Sequence, residues 1–186
     1  CIEHKDVIGF DLAGPEVGFS VLNHKEACSL AVENNINVTL HADWEVPEGI
    51  KEVVLDSKAK RVGHGSQIIN DIFFDNGSIT FNTDAAKYVF DNKIALEICP
   101  TSNVQCGAYS NVSEHSFGEL YKAGFNVTIN TDNRLMSDIT MSEEVSNVVE
   151  SFGLGEKDIL SITKNTIEAG FVEPKLRSGL LEKLDN

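Results

Sequence analysis

No apolar run in this chain approaches the roughly 20 residues that a bilayer-spanning helix needs, so no membrane partner is expected. Basic clusters are missing as well: 29 Asp and Glu stand against 15 Lys and Arg, for a net charge of −14. Such a surface repels a polyanion, so nucleic acid is not an expected partner either. The four cysteines, Cys1, Cys28, Cys99 and Cys106, show no C-x-x-C spacing. They fit a reducing, cytoplasmic setting, with Cys28 and Cys99 buried as small hydrophobes. The chain opens at Cys1 without a secretory signal, the start expected of a processed or truncated product. The N-x-S/T patterns at Asn37, Asn76, Asn111 and Asn126 read as chance, because no signal accompanies them.

What is present is an ordinary globular composition, 41% hydrophobic over 186 residues, which length alone makes a single domain over residues 1–186. Short runs rich in Val, Ile, Leu and Phe occur at Val7–Asp11, Val38–His41, Arg61–His64, Ile94–Ile98 and Asn126–Asn130. Their nearly continuous hydrophobicity is that of strands covered on both faces. Helical patterns fill the gaps at about Asn23–Asn34, Pro47–Leu55, Asp84–Asn92 and Phe117–Ala123, with Pro47 suited to a first turn and Gly124 to a stop. Three further helices, Ser142–Phe152, Glu156–Ala169 and Lys175–Leu184, close the chain. The alternation predicts an α/β fold with a parallel sheet and crossover helices. A closed (β/α)₈ barrel needs eight strands and typically about 250 residues. The chain is therefore either a small open sheet or a barrel whose front is missing.

The strand ends carry polar residues: Asp11, His41, His64, Glu97 and Asp132. Strands that deliver polar side chains at their last residues are how a barrel enzyme assembles an active site. Each residue alone has a plainer reading. A lone histidine such as His41 is often a satisfied core residue, Gly63-His64-Gly65 is also a glycine-rich turn, and Asp132 in Asn130-Thr131-Asp132-Asn133 also suits a helix N-cap. Taken together, His41 and Asp132 can supply two ligands to a catalytic zinc, with His64 close by to orient or deprotonate a water at the metal. Two ligands are too few, so at least one more is expected outside this chain.

The segments Gly9-Phe10-Asp11-Leu12-Ala13-Gly14, Leu40-His41-Ala42, Arg61-Val62-Gly63-His64-Gly65, Leu96-Glu97-Ile98-Cys99-Pro100-Thr101-Ser102-Asn103 and Asn130-Thr131-Asp132 resemble the adenosine deaminase family in order and spacing. The resemblance implies a (β/α)₈ TIM-type barrel with one zinc ion at its C-terminal mouth, of which this chain holds about the last five βα units plus C-terminal helices. It implies that His41 and Asp132 bind zinc, with further histidine ligands upstream of Cys1, and that His64 positions the attacking water. It also implies that Gly14 offers backbone contact to the purine and that Asn133 faces its five-membered ring. Glu97 and Cys99 are expected to serve the barrel interior and the surroundings of the site.

The chain departs from the family most clearly after His41. The family reads His-Ala-Gly-Glu, whose glutamate protonates the purine ring; this chain reads His41-Ala42-Asp43-Trp44-Glu45. With one residue deleted, Asp43 takes the acid position, and a slipped backbone presents Glu45 instead. Aspartate reaches about one ångström less far, enough to cost on the order of a hundredfold in rate. Pro15 also replaces an acidic residue common in the family. The expected function is zinc-dependent deamination of adenosine and 2′-deoxyadenosine to inosine and ammonia, with a small-molecule purine nucleoside as partner. The rivals are deamination of adenine or a modified adenosine, and a non-catalytic purine- or metal-binding relic. The 186-residue piece alone is expected to be inactive, to hold zinc weakly and to associate through exposed strand edges; the oligomeric state is left open.

Overall fold

The computed structural model describes residues 2–4, 6–43, 45–75 and 78–184. Cys1, Trp44 and the Asn76 sequon lie outside the described residues. The strands are β1 (Gly9–Leu12), β2 (Asn37–Ala42), β3 (Arg61–His64), β4 (Ile72–Asp75), β5 (Ser78–Phe81), β6 (Ala95–Ile98) and β7 (Val127–Ile129). The helices are α1 (Lys25–Glu33), α2 (Gly49–Lys51), α3 (Asp84–Asp91), α4 (Pro100–Gln105), α5 (Phe117–Ala123), α6 (Arg134–Ser137), α7 (Met141–Phe152), α8 (Glu156–Ala169) and α9 (Pro174–Leu184).

Five strands form one parallel sheet in the order β1-β2-β3-β6-β7. Spatial order follows chain order, so each crossover adds its strand on the same side as the last. That winding curls a sheet toward a barrel, and here it makes five-eighths of the wall of a (β/α)₈ fold. All five expected parallel strands are present, with ends shifted by at most two residues. The expectation missed β4 and β5, an antiparallel hairpin set apart from the main sheet. Its Phe73 and Phe74 are more than half exposed, so it lacks the buried continuity of the sheet strands. The Asn76-Gly77 pair between its two runs was the available signal.

The two faces of the sheet differ. Val38, Leu40, Val62, Leu96, Ile98 and Val127 are fully buried against the helix layer, where Cys28, Val53, Val54, Ala86, Val89, Phe117 and Leu120 meet them. Truncating one of these, as in Leu40→Ala, costs about 2–5 kcal/mol. The other face is polar. Glu97 accepts from the Thr39 hydroxyl at 2.7 Å and pairs with Arg61 at 2.9 Å. The Arg61 guanidinium lies 3.7 Å from the centre of the Phe171 ring.

Helix ends follow local chemistry. Thr140 and Glu143 form a capping box on α7, Thr83 caps α3, and Gly124 ends α5 at φ 87°. The segment after Pro47 becomes helical two residues later than expected, at Gly49, and widens into a π turn over Glu52–Asp56. Among the described residues no helix is long and apolar enough to cross a membrane.

Candidate active site

The sheet's C-terminal edge gathers the candidate residues. His41 is the penultimate residue of β2 and His64 the last of β3, their rings 4.9 Å apart and edge-on. His64 and Asp132 both adopt left-handed backbone, at φ 61° and 56°. Neither is glycine, and such residues carry a cost of order 1–3 kcal/mol that surrounding structure must offset. Gly65 continues the left-handed turn at φ 71°; a Cβ there would come within 2.7 Å of Leu96. The strand thus ends abruptly and leaves the His64 ring at the mouth.

His64 and Asp43 share one cluster. Asp43 is 4% exposed. Its Oδ1 accepts from the Ser66 amide at 3.1 Å and the Ser66 hydroxyl at 2.6 Å, and its Oδ2 from the Asn103 amide nitrogen at 2.5 Å. Asp43 Oδ2 lies 3.8 Å from His64 Nδ1, and Asp132 Oδ2 lies 3.7 Å from His64 Nε2. Burial raises the Asp43 carboxyl above the usual aspartate range, and the opposing His64 charge and Ser66 hydrogen bonds do not cancel it. Asp132 Oδ2 accepts from the Ser102 hydroxyl at 2.6 Å. The helix N-cap reading of Asp132 does not hold, because Asn133 caps α6 instead through the Met136 amide.

His41 is held differently. Its Nε2 lies 3.2 Å from Glu16 Oε1, which also accepts from the Asp43 amide at 2.9 Å. Burial disfavours a protonated His41, but the Glu16 hydrogen bond and the charges of Glu16, Asp43 and Asp132 outweigh it and raise the imidazole. Burial likewise pushes Glu16 up, and its bonds to His41 and Asp43 bring it below the usual range. Glu16 was not foreseen, although it directly follows the Gly14-Pro15 departure. Its other oxygen, Oε2, is buried without a hydrogen-bond partner. Glu16, His41 and Gly14 line a cavity of about 190 Å³ together with Leu12, Phe19 and His24.

Of the expected site residues, His41, Asp43, His64 and Asp132 converge, and Gly14 shares the cavity with His41. Glu45 is exposed, and its carboxylate accepts the Glu16 backbone N–H at 2.8 Å. Asn133 is exposed at its helix cap. Asp11 is exposed within β1, and Glu97 turns to Arg61 and Thr39 below the mouth, so the five polar strand-end residues do not form one group. Asn103 and His115 were also missed. Asn103 lay in plain view in the Pro100–Asn103 segment, whereas His115 sits in a loop and has no sequence signature.

Among the described residues, one ligand atom each from His64, Cys99 and Asp132 lies within 4.8 Å of the others. Burial, joined by the charges of Asp132, Glu144, Asp43 and Glu97, pushes the Cys99 thiol far up, and its Sγ–H donates to the Glu97 carbonyl. The imidazole and carboxylate donors are therefore the better match to a divalent ion. A carboxylate behind an imidazole, as Glu16 stands behind His41, is also how metal-ligating histidines are oriented. Imidazole and carboxylate donors suit a catalytic metal, but the imidazole in that group is His64, and His41, the expected ligand, lies outside it.

The sequence model of one family, described as "Adenosine deaminase", matches residues 1–186. The adenosine deaminase of Mycobacterium ulcerans is 42% identical over 171 residues, covering 90% of this chain and 47% of the relative. That of Mycobacterium tuberculosis is 39% identical over 183 residues, covering 97% and 50%. Among solved structures, the adenine deaminase from Arthrobacter aurescens superposes with a TM-score of 0.85 at 22% identity, covering 96% of this chain and 51% of that one. The N6-methyl-AMP deaminase from Arabidopsis thaliana gives 0.79 at 26%, covering 96% and 49%. The chain spans about half the length of these relatives.

Proposed function

Because the chain belongs to the adenosine deaminase family, we propose that it is the C-terminal part of a zinc-dependent hydrolase that converts adenosine and 2′-deoxyadenosine to inosine and ammonia. The observation that carries this reading is the convergence of His41, Asp43, His64 and Asp132 on one mouth beside the cavity that Gly14 lines. His41 and Asp132 would hold the zinc together with histidines from upstream of Cys1. Zinc supplies Lewis-acid chemistry and activates water for addition at carbon 6 of the purine. His64 orients that water from the side opposite the Asn103 amide. Gly14 presents backbone to the base, and Asn133 stands toward its five-membered ring.

Asp43 is the better candidate for the acid that protonates ring nitrogen 1. Its carboxyl is buried beside His64, and burial raises it above the usual aspartate range, the direction that favours a proton donor. Glu45 is exposed and occupied with the Glu16 amide. The unpaired thiols of Cys28, Cys99 and Cys106 support a cytoplasmic setting.

Incubating the full-length, zinc-loaded protein with adenosine should deplete the adenosine absorbance; no change would overturn the reading. Adenine and N6-methyl-AMP belong in the same assay, because the structures of similar fold include deaminases of both. A relic that binds purine without turnover is the remaining reading, motivated by the altered segment after His41. Inserting glycine between Ala42 and Asp43 together with Asp43→Glu should raise turnover sharply in a damaged enzyme. Unchanged turnover with purine binding intact would favour the relic.

A further inference from the structure

We propose that Asn103 and His115 are positioning residues that fix which nitrogen of His64 carries its proton, through a hydrogen-bond chain that starts at the Phe117 backbone amide. The inference rests on the deaminase reading for its kinetic consequence and on geometry for everything else.

The chain begins at a donor whose direction is not in question. The Phe117 N–H donates to His115 Nδ1 at 2.9 Å, so that nitrogen is bare. A neutral His115 then carries its hydrogen on Nε2, which stands 3.1 Å from Asn103 Oδ1 and donates to it. With Oδ1 assigned, the Asn103 amide presents both hydrogens of Nδ2 to the other side. One goes to Asp43 Oδ2 and one to His64 Nδ1 at 3.2 Å. His64 Nδ1 is therefore an acceptor, and the neutral ring carries its hydrogen on Nε2, the nitrogen that faces Asp132.

The assembly is built for permanence. His115 is 3% exposed and Asn103 2%. The Tyr109 ring stacks on His115 at 4.0 Å, and the Tyr109 hydroxyl is anchored on Ser116, whose hydroxyl in turn donates to the Ser66 carbonyl. Burial, with a smaller contribution from the His64 charge, lowers His115 to about 4, so it stays neutral near pH 7. None of these groups lines the cavity that His41 and Gly14 share, and the mouth residue at the end of their chain is His64.

Two substitutions at His115 separate this role from packing. His115→Gln places an amide nitrogen where Nε2 stood and keeps the donor to Asn103, but loses the acceptor for Phe117. His115→Asn does the reverse. In the full-length, zinc-loaded protein, His115→Asn should lower kcat by about 10- to 100-fold with KM unchanged, whereas His115→Gln retains most of it. Equal losses, or a larger loss in His115→Gln, would overturn the proposal.

Nitrogen-15 NMR of the His64 ring reads the same point without turnover. The native protein should show a bare Nδ1 and a protonated Nε2, and His115→Asn a mixture of tautomers. The opposite tautomer in the native protein, which needs no variant to fold, would sink the idea. If the protein deaminates no purine, the deaminase reading fails while the NMR result still decides the hydrogen-bond chain.

Discussion

Two histidines stand side by side at the mouth, and they are held in opposite ways. His64 is gripped by an amide whose own orientation is set by neutral partners and the protein backbone. His41 is gripped by a carboxylate that raises its affinity for positive charge. An amide specifies a direction without supplying charge, whereas a carboxylate supplies charge and strengthens the ring as a donor to a cation. The difference matches the division of labour proposed for them, with His64 handling water and His41 holding metal.

That contrast can be broken experimentally. The largest effect should come from His64→Ala, a loss of kcat on the order of 10²–10⁴-fold with zinc content unchanged. Loss of zinc from this variant would merge the two roles. Next, stability should depend on pH through His115. An unfolded histidine takes a proton below its ordinary 6.5, whereas folded His115 refuses one until about 4. The fold therefore loses stability as pH falls through that window, by at most about 3 kcal/mol. Denaturant melts at pH 7 and pH 4.5 should show a smaller difference for His115→Gln than for the native protein.

Glu16→Gln should weaken zinc binding about 10- to 100-fold, read by competition with a chelating dye, while leaving the His64 tautomer untouched. A shift in the His64 ring signals would show that the two holds are coupled. The smallest effect is expected at Glu45, where Glu45→Ala should change the melting free energy by about 0.5 kcal/mol or less. A large kcat loss there would return Glu45 to the acid role that we assign to Asp43.

The strands were legible because a sheet buried against helices leaves nearly continuous apolar runs, as in Ala95–Ile98 and Val127–Ile129, each broken by a single polar residue. Residues at the ends of those runs, His41, His64 and Asp132, were legible for the same reason. Their partners were not. Glu16, Asn103 and His115 come from loops or a short helix, where no periodicity marks which polar residue will turn inward. Asn103 reaches Asp43 across 60 residues of chain, a distance over which a single sequence carries no pairing information. Asp11 and Glu97 misled because a polar residue at or near a strand end resembles a site residue whichever face it occupies. Only the pairing of Glu97 with Arg61 revealed that it serves the polar face beneath the mouth.

The buried Glu144 of α7 accepts the Thr101 N–H at the start of α4 at 2.9 Å. Thr101 is followed directly by Ser102 and Asn103, the side chains that grip Asp132 and His64. A helix late in the chain therefore holds the turn on which both grips are mounted, and a fluctuation that lifts α7 must loosen them together. Exchange of the Thr101 amide with solvent deuterium is thus a clock for disassembly of this cluster, timed from a helix late in the chain.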